Sequence, residues 1–261
     1  MKRSLVLSFC GLFLAGALEA GVVEKSILYR QGLTVLEGFF AMPDDAVGPV
    51  PGVVVVHDWM GLSDVTRDSA RRLAALGFAA FAADIYGKGV RPADTKGAMA
   101  ESGKYKGDRR LLRARAKAAL ETLKKQKGVD ASRCAAIGYC FGGAAVLEMA
   151  RGQMPVKGVV SFHGSLDTPV PAKKITAKVL VLHGADDPFA PAEQVAALEK
   201  ELKDAGADYQ VVLYGGARHA FTNPQATGEP PMEGAKYDEK ADRRSWKAMA
   251  DFLDELFGGK P

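Results

Sequence analysis

The stretch that decides the fold is Ala135-Ala136-Ile137-Gly138-Tyr139-Cys140-Phe141-Gly142-Gly143. The apolar run at its start reads as a buried strand, and the glycine-flanked turn after it opens an apparent helix. Glycine, any residue, nucleophile, any residue, glycine, set at a strand–turn–helix corner, is the nucleophile elbow. The chemistry needs this spacing because the corner is strained and crowded. Gly138 and Gly142 remove side chains that would collide there, and the turn lifts the Cys140 sulfur clear of the sheet. The start of the following helix adds positive potential, which favours a thiolate. As structure alone, the same stretch would be a tight turn with an ordinary buried cysteine. A dinucleotide fingerprint fits poorly, because the glycines lack its spacing and the strand is not the first of its unit. A phosphate-binding P-loop needs a Gly-Lys-Ser/Thr that does not follow.

Outward from the elbow, strands and helices alternate. Residues 21–43 suggest a small leading hairpin with Gln31-Gly32 as its turn. Gly52-Val53-Val54-Val55-Val56 is a β-branched run typical of a strand buried on both faces. A helix is expected from Ser63 or Asp64 to Leu76, stopped by Gly77. Phe78 to Ala83 reads as a strand. Residues 87–107, rich in glycine, lysine and small residues, read as a surface excursion. Then come a charged helix over 108–126, a strand over 133–139, a helix over 142–150 and strands over 156–162 and 178–183. A helix over 191–202, a strand over 209–213 and a C-terminal helix over 237–256 complete the chain. The alternation predicts an α/β fold, with a mostly parallel central sheet and helices on both faces, a three-layer sandwich. Sites in such sheets lie beyond the C-terminal ends of the strands.

A nucleophile of this kind needs an acid and then a histidine later in the chain. Val179-Leu180-Val181-Leu182-His183-Gly184-Ala185-Asp186-Asp187-Pro188 is a strand running into an acidic loop. Asp187 is preferred over Asp186 because it sits further into the loop. Gly215-Gly216-Ala217-Arg218-His219-Ala220-Phe221 places His219 in a glycine-rich loop beyond the last strand. His57, His163 and His183 lie at or just past strand ends, where packing and loop hydrogen bonds suffice to explain them. A zinc site built from these histidines has no H-E-x-x-H or close ligand pair to support it, and no cofactor is expected. The loop His57-Asp58-Trp59-Met60-Gly61 follows the first buried strand. In an elbow enzyme, one oxyanion donor comes from this loop and the other from the residue after the nucleophile. That assigns the backbone N–H groups of Trp59 and Phe141. Asp58 stands beside them, where it would influence the thiol. Tyr86 ends the next strand as a pocket or packing residue, and Phe221 and Asn223 are further pocket candidates.

The 261 residues suit one medium-sized domain, and 48% hydrophobic residues allow a large core. The formal net charge of +4 is carried in part by Arg109, Arg110, Arg113, Arg115, Lys117, Lys124, Lys125 and Lys127. These fall in one expected helix and read as a solvated face, so no nucleic-acid partner is expected. Residues 1–20 have the pattern of an export signal. Lys2 and Arg3 precede an apolar run from Ser4 to Leu18 that is too short to span a membrane. A periplasmic or secreted protein is expected, with residues 21–261 as its single domain and no stable membrane insertion. Cys10 would leave with the signal. Cys134 and Cys140 stand at opposite ends of one strand, about 20 Å apart at 3.3 Å per residue, so they cannot pair.

With these residues in place, the sequence resembles the dienelactone hydrolase (carboxymethylenebutenolidase) family of α/β-hydrolases over roughly residues 25–257. The matching pieces are His57-Asp58-Trp59-Met60-Gly61, Asp84-Ile85-Tyr86, Gly138-Tyr139-Cys140-Phe141-Gly142-Gly143, Gly184 to Asp187 with Ala190-Pro191, and His219-Ala220-Phe221. The resemblance implies a compact, monomeric, lidless enzyme with a Cys140–Asp187–His219 triad that hydrolyses cyclic enol esters. Two departures stand out. Family members carry glutamate where this chain has Asp58. They also bind the substrate carboxylate with two arginines, one where Asn223 stands and one near Glu101. Arg109 or Arg218 is left to compensate, which puts dienelactone itself in question as the substrate. The reading is a thiol hydrolase of small esters or lactones. The alternatives are a thioesterase or other acyl-transfer enzyme on the same triad, or a non-catalytic binding protein of the same fold.

Overall fold

The computed structural model describes residues 21–230 and 232–258. The expected export segment, with Cys10, lies outside the described residues. Among those described, no helix is long and apolar enough to cross a membrane.

Eight strands form one sheet in the order β1-β2-β4-β3-β5-β6-β7-β8. They are β1 (Val22–Gln31), β2 (Thr34–Pro43), β3 (Val50–Val56), β4 (Ala79–Ala83), β5 (Val129–Tyr139), β6 (Gly158–Phe162), β7 (Lys178–Gly184) and β8 (Tyr209–Tyr214). β1 pairs antiparallel with β2, and β2 antiparallel with β4. From β4 through β3, β5, β6 and β7 to β8 the pairing is parallel. Strands β3, β4 and β6 are buried along their whole length, as continuous apolar runs covered on both faces must be. The leading hairpin lies over residues 22–43 and turns after Gln31, as the sequence suggested, and its ten-residue strands extend the main sheet at one edge.

Helices α1 (Asp64–Ala75) and α6 (Glu239–Phe257) supply Ala70, Leu73, Met249 and Leu253 to the core on one face. On the other face, α3 (Arg109–Lys124), α4 (Phe141–Arg151) and α5 (Ala192–Asp204) supply Leu112, Leu120, Val146 and Leu198. The three-layer α/β-hydrolase architecture is therefore present.

Two expectations are corrected. The excursion over residues 87–107 contains a helix, α2 (Thr95–Gly107). Asp94 caps it by accepting a hydrogen bond from the Gly97 N–H at 2.7 Å. The glycines and short apolar face of this helix hide it from a periodicity reading. The basic helix is not simply a solvated face either. Arg109 and Arg115 are buried, and Arg113 pairs with the fully buried Glu148 at 2.7 Å. Arg151 joins Glu148 to Glu201, so a buried ionic cluster ties α3, α4 and α5 together.

Candidate active site

Cys140 sits between β5 and α4 with φ 53° and ψ −113°, a left-handed conformation that is costly for a residue with a Cβ. Its neighbours hold it there. The Cys140 N–H donates to the Phe162 carbonyl at 3.0 Å, and the Gly143 N–H donates back to the Cys140 carbonyl at 3.0 Å. A Cβ on Gly138 would lie 2.1 Å from the Gly142 carbonyl oxygen, and one on Gly142 would lie 2.2 Å from that of Val56. Only glycine allows these backbones to approach so closely. Cys140 is half-buried, whereas Cys134 is fully buried; both are free thiols.

The loop after β7 presents Asp187 and leaves Asp186 in solvent. Asp187 Oδ2 lies 2.7 Å from His219 Nδ1, while Oδ1 accepts the N–H groups of Phe189 (2.8 Å) and Ala190 (3.3 Å). Both carboxylate oxygens are thus held, and the bond to Nδ1 leaves Nε2 of His219 free to face the thiol. His219 is buried, with the Phe189 ring edge-on at 5.2 Å and the His163 ring at 5.3 Å. Burial by itself would lower the His219 pKa. The charge of an ionised Cys140, together with hydrogen bonds to Asp187 and Cys140, outweighs it and pushes the value up to about 10. Burial drives His163 well below the ordinary histidine value, and the charge of His219 adds to the effect. His163 Nε2 lies 2.8 Å from the Thr222 hydroxyl.

The loop after β3 carries Asp58 and Trp59. The Asp58 carboxylate accepts the Met60 N–H at 2.8 Å, and burial raises its pKa. Tyr86 donates from its hydroxyl to the Trp59 carbonyl at 3.0 Å. Its ring packs against His57 (4.7 Å), Tyr105 (5.3 Å) and Phe141 (5.4 Å). These aromatic rings link the segments carrying the Trp59 and Phe141 amides. His57 is a structural residue, accepting the Ile85 N–H on Nε2 at 3.2 Å.

Cys140, His219, Asp58, Trp59, Phe141 and Asn223 all line one cleft of about 500 Å³. Tyr86 and Phe221 do not, which corrects their assignment as pocket residues: Tyr86 supports the Trp59 loop from behind, and Phe221 is fully buried beside Tyr214 and His163. Neither arginine offered as a compensating anion ligand lines the cleft. Arg109 pairs with Asp167, and Arg218 donates to the Glu233 carbonyl. Phe189, which touches both the acid and the histidine, was not found from the sequence. A single phenylalanine after Asp187-Pro188 carries no pattern that marks it. Among the described residues no group of three His, Cys, Asp or Glu is placed to hold a metal ion.

The dienelactone hydrolase family model matches residues 36–257. The chain belongs to that family. As a dienelactone hydrolase family member it is an ester- or lactone-hydrolysing enzyme of the α/β-hydrolase class. A solved dienelactone hydrolase-like promiscuous phosphotriesterase from metagenomic libraries is 42% identical, with TM-score 0.85 over 90% of this chain and 99% of that one. The solved protein m3DLH is 41% identical, with TM-score 0.87 over the same shares. The protein usf of Aquifex pyrophilus is 30% identical over 78% of this chain and 88% of its own.

Proposed function

We propose that this family member cleaves small esters or lactones by covalent thiol catalysis, with Cys140 as nucleophile, His219 as base and acid, and Asp187 as the group that orients the imidazole. The observation that carries the proposal is the strained Cys140 corner facing a histidine whose far nitrogen is held by a buried carboxylate. The Cys140 thiol proton passes to His219, giving a thiolate beside an imidazolium. The thiolate sulfur then attacks the carbonyl carbon, and the π electrons move onto the oxygen. The Trp59 and Phe141 N–H groups stabilise that oxyanion. When the carbonyl re-forms, the C–O bond breaks, and the imidazolium of His219 gives its proton to the leaving alkoxide. Water then adds to the thioester as His219 takes its proton. Collapse breaks the C–S bond, releases the carboxylic acid and restores the thiolate–imidazolium pair. Asp187 keeps Nδ1 protonated throughout and stabilises the charged ring.

Stopped-flow hydrolysis of a 4-nitrophenyl ester tests the proposal. Wild type should release a burst of one 4-nitrophenolate per active site, with the acyl group found on Cys140 by mass spectrometry. Cys140→Ala should lose the burst and at least about a thousandfold in turnover. Equal turnover in the two proteins would overturn the triad. The similarity to a promiscuous phosphotriesterase adds a second substrate for the same thiol: a neutral phosphotriester such as paraoxon, presenting its P=O oxygen to the same two amides. Export of the protein, proposed from residues 1–20, is tested by N-terminal sequencing of the protein made in its own host. The proposed monomer is tested by sedimentation.

A further inference from the structure

Large apolar side chains left in water are costly, so their placement is informative when several share one opening. Val65, Met99 and Phe189 are 38%, 68% and 49% exposed, and all three line the cleft that holds Cys140. They come from three separate elements: the first turn of α1, the middle of α2 and the loop after β7. Neither Val65 nor Met99 has a part in the reaction sequence proposed above.

The charges of the same cleft argue in the same direction. Its charged lining residues besides the histidines are Asp58, Glu229 and Lys106. Two carboxylates thus face one ammonium, and that ammonium already donates to the Ser165 hydroxyl at 3.2 Å. The proposed thiolate and imidazolium cancel each other. A substrate carboxylate entering the cleft would lose water and meet net negative charge. An uncharged hydrocarbon group would cover the apolar rim and release water from both surfaces.

We infer that Val65, Met99 and Phe189 form an apolar subsite for the non-reacting part of the substrate, and that this enzyme selects uncharged esters with an extended alkyl or aryl group over esters that carry a carboxylate. The inference rests on the hydrolase reading but not on which side chain is the nucleophile.

The test measures kcat/KM on the full chain for 4-nitrophenyl acetate, butyrate and hexanoate, and for the 4-nitrophenyl monoester of adipic acid. The adipate monoester matches the hexanoate in reach and leaving group but ends in a carboxylate. A fully buried methylene is worth up to about fourfold, so the half-open rim should give a rise of roughly tenfold or more from acetate to hexanoate. The adipate monoester should fall at least about tenfold below the hexanoate. Val65→Ser and Met99→Ser, both at exposed positions, should keep the acetate rate and flatten the chain-length series. A flat series in wild type, an adipate rate equal to the hexanoate rate, or an unchanged slope in the double variant would overturn the inference. Failure of the triad is read separately, from the burst of Cys140→Ala. The chain-length ratio is independent of that burst.

Discussion

The Tyr86 hydroxyl donates to the Trp59 carbonyl at 3.0 Å, so a buried ring in the loop after β4 fixes the peptide whose neighbouring amide is proposed to hold the oxyanion. The same ring touches Phe141, the source of the second proposed donor. Tyr86→Phe removes the hydrogen bond and keeps the packing. Turnover should fall by about tenfold with KM little changed, because a misaligned donor matters most when charge develops on the oxygen. The loss in stability should be only about 1 kcal/mol. Steady-state kinetics with a melting curve checks both, and an unaltered kcat would remove Tyr86 from the positioning of this loop.

Asp187 and Asp186 are adjacent, yet only Asp187 is buried against His219. Asp187→Asn should lower kcat by about 10⁴-fold, because an amide in that place favours the wrong imidazole tautomer. Asp186→Asn, in solvent, should change kcat by less than about twofold. Comparable losses in both variants would reject Asp187 as the orienting acid.

The raised pKa of His219 sets a pH window. Burial opposes the shift, but the Cys140 charge and the hydrogen bonds to Asp187 and Cys140 carry the value to about 10. The stability this cation contributes is full below the ordinary histidine value of about 6.5 and is lost as pH rises through about 10. Catalysis should follow the same limb: kcat/KM for an alkyl ester, whose leaving group needs a proton, should decline as His219 deprotonates. In Asp187→Asn the decline should begin at lower pH. A pH–rate profile measures it, and an alkaline limb near neutrality in wild type would contradict the charge pairing described.

Asp58 titrates under opposing influences. Burial raises its pKa and is the dominant cause, while the Met60 N–H and the positive charge of His219 lower it. An acid whose folded pKa is raised favours the folded state below its unfolded value, and that advantage is lost as pH rises through the folded one. Asp58→Asn keeps an acceptor for Met60 and removes the buried charge. It should therefore melt above wild type at neutral pH, the difference vanishing below about pH 4. A lower melting temperature at neutral pH would show that the carboxylate is stabilised by its surroundings.

Glu148 is fully buried and meets Arg113, Arg151 and the Thr168 hydroxyl. Glu148→Gln removes the buried charge that Arg113 and Arg151 share, leaving Arg151 to Glu201 alone. Stability should fall by about 3–5 kcal/mol, measured by urea unfolding. A loss under about 1 kcal/mol would show that water or the neighbouring Glu201 replaces the missing charge.

Local geometry was readable from the chain alone. The spacing around Cys140 specifies a strand, a strained corner and a helix, because glycine is required where an added Cβ would fall 2.1–2.2 Å from a neighbouring carbonyl oxygen. The parallel sheet followed from apolar runs alternating with helical segments, since a strand covered on both faces must be apolar throughout. That Cys140 and His219 would line one cleft, with Asp187 against His219, was legible because loops beyond the strand ends converge on one edge of such a sheet. Tertiary structure decided what depends on neighbours from distant segments. Helix α2 forms against the body of the protein despite a short apolar face. Arg109 and Arg115 are buried although their spacing resembles a solvated face, because acceptors on other segments, such as Asp167 and Thr34, surround them. Tyr86 supports the cleft from behind instead of lining it, and the apolar rim draws on three elements. Burial is a property of what packs opposite a residue, and one-dimensional order carries that information only where the opposing partner is dictated by the same local pattern.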